Sequence, residues 1–510
     1  MSLSSFCASL VPTSEAAPAV PPQGSALAGP TFMLVAVYAI PIIVALRPVA
    51  DPDIWWHLRA GQWICEHQAL PVTDPFSSWG ADKPWIAYSW LFEVLVYRLY
   101  ETWGLTGIVL YRLALSLAVV AALHRLIQRR QPRFAPLLTA AAALAFAPLL
   151  NERSWLFTIL FATLTLGVLL DLRDGRAGRG IWLLPFVYVL WANLHIQFIY
   201  GLFLLALACL PYPCWRCGLA KRGVLAGLCL LATLVNPYHI RLYGVVVELA
   251  TQSGPLRYIS EMHAMEFRGA ADWMVLLFGA AAAFTLGRRP RLSSFEVLLL
   301  VSAGFFAFRS QRDLWFLVLA AAAILAGQPA PFPERFQTAP PCRAAAAGVL
   351  IALIGLLAWC RGLSEENLQR KVGEVFPVEA AALIAEHGYP GPLFNDYDWG
   401  GFLIWTLPQL PVVLDGRANL HGDERIIRFL NTWSAGPGWH DDPDLESAGV
   451  VLANVHDALG CVLILDDRFQ LVHEDSVARV FVRKRSPHRD ETSSLRSGQA
   501  DSRMKHGCGT

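Results

Sequence analysis

The chain has 510 residues, 55% of them hydrophobic and 16% charged, with a formal net charge of +1 and a mean hydropathy of +0.43. Soluble domains carry about 25% charged residues, so this composition excludes an ordinary soluble protein and specifies a polytopic α-helical membrane protein. A near-neutral chain also lacks the clustered Lys and Arg that neutralise phosphate backbones, which excludes nucleic acid as a partner.

Residues 1–30 carry Pro, Ala and Ser but no Lys or Arg. Without the basic start of a signal peptide, this stretch reads as a disordered tail. A bilayer core of about 30 Å takes roughly 17 to 25 helical residues. Apolar runs near that length fall at 31–48, 104–124, 134–150, 155–171, 181–194, 197–212, 223–237, 272–287, 292–308, 313–328 and 343–360. These predict about eleven transmembrane helices in a domain spanning 31–360, with a loop at 49–103. Ten cysteines are scattered without a framework of spacings, and Cys214 and Cys217 form a lone C-x-x-C lacking the second ligand pair that zinc needs.

Basic residues concentrate in alternate connections: Arg125 to Arg133, Arg173 to Arg179, Arg216 to Arg222, Arg288 to Arg291, and Arg335 with Arg343. The positive-inside rule makes these loops cytoplasmic, so the amino terminus is inside and the carboxy terminus outside. Stretch 86–103, with Glu93, Arg98 and Glu101 among aromatics, then lies along the outer interface, because a further crossing would put Arg125 to Arg133 outside.

The same parity puts most of the unusual polar groups on the outer side: Asp51-Pro52-Asp53 with His57 and Arg59, Asn151-Glu152-Arg153, Asn193 and His195, Asn236 to His239, the 251–271 loop, and Arg309, Arg312 and Asp313. Polar groups at membrane depth face cavities and mark function. Pro52 biases Asp51 toward an extended backbone, so both aspartates would meet one cation; equally, Asp53 N-caps a helix starting at Ile54. Arg309 and Arg312 sit where they either contact a donor phosphate or snorkel at the interface. His195 is either a ligand or acid–base group, or a hydrogen-bonded packing residue.

After 361 the pattern changes to an α/β domain, 361–485, a normal size for one core. Runs 391–396, 411–417, 449–454, 461–467 and 478–484 read as strands, and 377–387 and 422–433 as helices. Gly400-Gly401 reads as a tight strand-to-helix turn with Asp398 and Trp399 exposed beside it. Residues 486–510 are polar and read as a second disordered tail.

The stretch from Asp53 to Arg59, continuing through Gly61, His67, Pro71, Asp74-Pro75-Phe76, Gly80 and Trp85, resembles the first external loop of oligosaccharyltransferase catalytic subunits of the GT-C superfamily. The resemblance implies that Asp53 is the catalytic, metal-binding aspartate, with Asp51 beside it and His57 and Arg59 as the polar pair that follows. It places Glu152 at the second acidic motif, and Ile259-Ser260-Glu261 at an element whose glutamate contacts acceptor or metal. Asp53, Glu152 and Glu261 would then hold Mg2+ or Mn2+. The chain departs from the family at Asn395 to Gly401, where the Trp-Trp-Asp-Tyr-Gly reader of protein sequons is missing, which argues against protein N-glycosylation. The landmarks Asp53–Leu58, Trp191–His195, Asn236–Tyr238 and Trp399–Gly401 resemble those of bacterial GT-C-like membrane proteins.

The expected function is transfer of a sugar from a polyprenyl-phosphate-linked donor to an extracytoplasmic acceptor, by a multi-pass protein of the inner, plasma membrane in contact with membrane lipids. A charged lipid head at the leaflet surface calls for oxygen ligands to a hard cation, or for arginines, at the outer span ends. A transporter or lipid-carrier binding protein, or a non-catalytic assembly protein, are the alternatives. A transporter would show interrupted helix pairs and internal symmetry, which the sequence lacks.

Overall fold

A computed structural model describes residues 23–212, 215, 218–252, 254–328 and 341–484. The Cys214/Cys217 pair and most of the two tails lie outside these residues. Each of the eleven apolar runs contains a helix. The first part of the chain forms α1 (Gln23–Ala45), α2 (Ile54–His67), α3 (Trp90–Arg130), α4 (Ala135–Phe146), α5 (Trp155–Arg173), α6 (Leu184–Leu194) and α7 (Phe198–Ala208). The second forms α8 (Leu219–Ala232), α9 (Arg241–Thr251), α10 (Gly254–Tyr258), α11 (Ala270–Gly287), α12 (Ser294–Arg309), α13 (Leu314–Ala326) and α14 (Arg343–Cys360).

Four of these, α3, α5, α11 and α14, are long and apolar enough to cross a membrane by themselves. Helices α4, α6, α7, α8, α12 and α13 are shorter than the apolar runs they occupy. Helix α13 is buried at every position but Leu325 and forms the centre of the bundle. Helix α14 is its opposite: only Ala346 is buried, and Val349, Ile351, Leu356 and Trp359 are exposed. Such apolar surface without a protein partner is suited to lipid.

The stretch expected to lie along the interface is the first limb of α3. It runs into the following span through Gly104, whose φ of +60° and ψ of −146° interrupt the helix. The backbone amides freed by the break do not go unpaired. Leu105 N donates to Glu365 Oε1 and Thr106 N to Glu365 Oε2, each at 3.1 Å. A carboxylate from the start of the carboxy-terminal domain thus caps the second limb, as an N-cap residue would.

The carboxy-terminal domain contains α15 (Glu365–Gly373), α16 (Val378–His387), α17 (Gly400–Thr406), α18 (Ala418–His421), α19 (Asp423–Trp433), α20 (Pro443–Ser447) and α21 (Ala458–Leu463). Its strands are β1 (Leu393–Asn395), β2 (Val450–Asn454), β3 (Phe469–Glu474) and β4 (Ala478–Arg483), in the order β1-β2-β4-β3. β1 and β2 are parallel and the other pairs antiparallel. Two expected strands fail. The 411–417 run makes only single bridges, Val412 with Leu393 and with Ser77. The 461–467 run is the end of α21, which buries Leu459 and Leu463 and leaves Ile464 and Leu465 exposed. The strand missed from the sequence, β3, is at the sheet edge, where one unpaired side admits the polar residues Gln470, His473 and Glu474.

The first loop and the carboxy-terminal domain share one hydrophobic core. Trp55 of α2 packs edge-on against Phe376 at 5.6 Å and Phe402 at 5.3 Å between ring centroids. Gly400 and Gly401 have no positive φ; they are needed for close approach. A side chain on Gly401 would strike the Pro52 carbonyl oxygen and Trp56, and one on Gly400 the Leu414 carbonyl oxygen and Asp415.

A buried ion cluster completes this junction. Arg417 Nη1 donates to Asp74 Oδ1 at 2.6 Å and Nη2 to Asp415 Oδ2 at 2.7 Å, while its guanidinium stacks on Phe76 and Trp85. Burial pushes the Asp415 carboxyl up, but Arg417 and His421 beside it outweigh burial and hold it well below the usual carboxylate range.

Candidate functional site

Asp51 and Asp53 do meet one cation, through a turn rather than an extended strand. Asp51 Oδ1 accepts from Asp53 N at 2.9 Å, which folds the backbone back at Pro52. Asp53 occupies the N-cap position of α2 but makes no side-chain capping bond. Both carboxylates face Arg153 instead: its Nε donates to Asp51 Oδ2 at 2.5 Å, and its Nη1 to Asp53 Oδ2. Glu261, on the loop after α10, approaches the same guanidinium, with Oε2 at 3.6 Å from Nη2. Its other oxygen is 3.7 Å from Arg312 Nη1. Arg153 and Arg312 lie over the Trp155 ring at 5.2 and 5.0 Å from its centroid.

Of these, Asp53, Arg153, Glu261 and Arg312 line a cavity of about 550 Å³ between the helix ends and the carboxy-terminal domain. Of the residues singled out in the sequence, Asp53, His57, His195, Glu261, Arg312, Asp398 and Trp399 reach it. Arg59, Arg309, Asp51 and Glu152 are not among its lining residues. Arg59 Nη1 donates to Gln62 at 2.7 Å on its own helix, and Arg309 is exposed at the end of α12. Trp399 lines the wall as a buried ring, 3% exposed, not as the exposed aromatic expected.

Glu152 sits behind the cavity. Its Oε2 accepts from buried Arg112 at 2.6 Å, and its Oε1 accepts from the amides of Ala50 and Asp51, each at 3.2 Å. Both oxygens are occupied in holding the Asp51 segment, so Glu152 positions this segment and does not face a ligand. A divalent ion therefore does not fit the set Asp53, Glu152 and Glu261. One member is turned away, and the Arg153 guanidinium stands between the other two. A separate group, Glu379, His473 and Asp475, has potential ligand atoms within 4.8 Å of one another. It lies in the carboxy-terminal domain, outside the cavity lining.

Burial shifts the titratable groups in and beside the cavity. Burial pushes the Asp51 carboxyl up to about 7, against the pull of Arg153. Burial and neighbouring Asp53 raise Asp398; burial, then Asp457 and Asp398, raise Asp396 to about 7. Burial and the Arg153 charge hold His57 well below the usual histidine range, which makes it a neutral group near pH 7. Its Nδ1 is 3.4 Å from Glu93 Oε1.

The apolar-bundle landmarks form the frame behind this cavity. His195 Nδ1 and Thr158 Oγ1 are 2.8 Å apart, and Trp191 Nε1 donates to the same hydroxyl at 3.0 Å. Trp90 Nε1 donates to Asn193 Oδ1 at 2.8 Å, and Ala87 N to the Tyr238 hydroxyl at 3.1 Å. His195 thus reaches the cavity while held by a packing hydrogen bond, combining the two roles weighed for it. Sequence reasoning did not assign Arg153, Tyr88, Asp396, Tyr397 or Asn419, all of which line the cavity. For Arg153 the signal was present, a cation directly after Glu152 in the 151–153 motif.

At the far end of α5, Arg173 pairs with Glu296 and Asp174, Arg130 with Asp174, and Arg289 with Glu296. The helix begins at Trp155 beside the cavity, so about 28 Å of helix separates the cavity from this basic cluster.

No protein-family model and no curated protein matches this sequence. Among solved structures, the chain is similar to the archaeal oligosaccharyltransferase AglB from Archaeoglobus fulgidus, in complex with an inhibitory peptide and a dolichol-phosphate. The identity is 12% and the TM-score 0.49, over 82% of this chain and 69% of that one. The apo form of the Archaeoglobus fulgidus oligosaccharyltransferase matches with the same figures.

Proposed function

We propose that this chain is a GT-C-type membrane glycosyltransferase that moves a sugar from a polyprenyl-phosphate-linked donor to an extracytoplasmic acceptor at the inner membrane. The observation that carries the reading is the meeting of Asp53, Glu261 and Asp398 with Arg153 and Arg312 in one cavity at the span ends. A cavity of about 550 Å³ is within the usual range of roughly 300–1,000 Å³ for small-molecule sites. On this reading the lipid-linked phosphate presents its head to this cavity. The basic cluster at the other end of α5 supports an outward-facing cavity by the positive-inside rule.

In the transfer, an acceptor hydroxyl oxygen bonds to the anomeric carbon as the bond from that carbon to the phosphate oxygen breaks. The electron pair leaves with the polyprenyl phosphate. Arg312, whose buried Nε has no hydrogen-bond partner, is suited to receive that phosphate through its planar fork. Among the described residues no cation is in hydrogen-bond contact with Asp398, whose carboxyl is raised, which suits it to take the acceptor proton. Asp53 orients Arg153 and bears on the same reacting region. The test is transfer of a labelled sugar from polyprenyl-phosphate-linked donors by the purified chain in lipid. Asp53→Asn and Asp398→Asn, both folded, are expected to lose at least about 100-fold in rate. Full activity in both variants removes these carboxylates from the reaction.

A further inference from the structure

The centre of the carboxylate cluster is filled by a side chain. We propose that the Arg153 guanidinium is the resident cation of this site, standing where a divalent metal would stand, so that Asp51, Asp53 and Glu261 bind no metal and sugar transfer here is metal-independent. The inference rests on the proposed function for the word transfer, but its structural part does not.

Three observations carry it. First, Arg153 contacts all three carboxylates: Asp51 at 2.5 Å, Asp53 by a direct hydrogen bond, and Glu261 at 3.6 Å. Oxygen ligands to Mg2+ lie about 2.0–2.1 Å from the ion, so an ion shared by Asp53 and Glu261 would have to displace the guanidinium that separates them. Second, Arg153 is fixed from behind. It is the residue after Glu152, which is itself bound by Arg112 and two backbone amides, and its guanidinium rests on Trp155. Third, Arg312 stands on the other side of Glu261. A divalent ion at Glu261 would therefore face two guanidinium charges. The same charges suit a phosphate leaving group, which needs what the metal would otherwise supply, a positive centre beside the breaking bond.

The test is Mn2+ binding to the full chain in lipid nanodiscs, followed by the paramagnetic resonance of free Mn2+. It is done in an Asp475→Asn background to silence the Glu379, His473 and Asp475 group. This protein is expected to bind no Mn2+ more tightly than about 1 mM, the weak limit of oxygen-ligand sites. Arg153→Ala is expected to uncover the carboxylates and gain a site at least about tenfold tighter, lost again when Asp53→Asn is added. Arg153→Gln serves the same purpose should the alanine variant not fold. Binding of one Mn2+ by the Arg153 protein, removed by Asp53→Asn, overturns the proposal, as does a folded Arg153 variant that gains no site. Transfer, where detected, is expected to be unchanged by EDTA. A chain without transfer activity would sink the proposed function and leave the Mn2+ titration to decide this one.

Discussion

Replacing Arg417 by Met is expected to loosen the carboxy-terminal domain from the first loop without touching the cavity lining. Arg417 is 3% exposed and is the one cation shared by Asp74 and Asp415, which are 1% and 0% exposed. Breaking a buried pair by removing one partner costs about 3–5 kcal/mol, because the remaining charge stays desolvated. Here two carboxylates lose their cation. Asp74 retains its bonds from Phe76 N and from the Ser77 amide and hydroxyl, and Asp415 retains the Arg417 amide bond and His421 at 3.3 Å, so the expected loss stays near about 3–5 kcal/mol. Met keeps the stacking against Phe76 and Trp85, so the cost reports the charge. The assay is urea unfolding of the chain in nanodiscs, read by protease access to the carboxy-terminal domain. Combining Asp74→Asn with Arg417→Met should recover part of the loss, a coupling that two independent sites would not show. The pH dependence has a definite sign. In the parent, Asp415 is depressed, so its contribution is present above an unfolded value near about 3.9 and fades as pH falls below it. In Arg417→Met the unpaired Asp415 carboxyl rises, the folded state takes up its proton first, and the gap to the parent narrows on acidification. A Met variant within about 0.5 kcal/mol of the parent, or a gap that widens as pH falls, refutes the ion-cluster account.

Gly416→Ala would place a methyl group against the Asp53 carboxylate; a shift of about 1 Å at a reacting group costs roughly 100-fold, so transfer should fall by that order while the unfolding midpoint moves little. Glu365→Ala removes the cap from Leu105 and Thr106 at the Gly104 break. It should lower stability by about 1–3 kcal/mol in thermal unfolding, with Glu365→Gln milder because its amide oxygen still accepts. Asp396 is raised to about 7 by burial, Asp457 and Asp398, so its contribution is fully present below about 3.9 and lost as pH rises through 7. Asp396→Asn should flatten the fall in stability of the carboxy-terminal domain between pH 6 and 8, and an unchanged slope would remove Asp396 as its source.

The helices of the bundle were legible because lipid demands long apolar runs, and α5 or α14 satisfies that demand with little help from neighbours. What remained hidden follows from contacts distant in sequence. Helix α21 looked like a strand because Cys461 to Leu465 is apolar throughout, and only the burial of Leu459 and Leu463 beneath β2 shows which period is used. The site was half visible in the same way. Asp53, Glu261 and Arg312 announced themselves as charges at span ends, but Glu152 and Arg153 are adjacent in sequence and opposite in role. Which of the two faces the cavity is decided by Arg112, some forty residues earlier, whose buried charge draws Glu152 away and leaves the next side chain to turn toward Asp51 and Asp53. An acidic motif read by type alone gives a metal ligand; with its partner in view it gives a frame, and the neighbour it orients becomes the cation. The chemistry of the cavity therefore depends on a pair, Arg112 and Glu152, that never touches it.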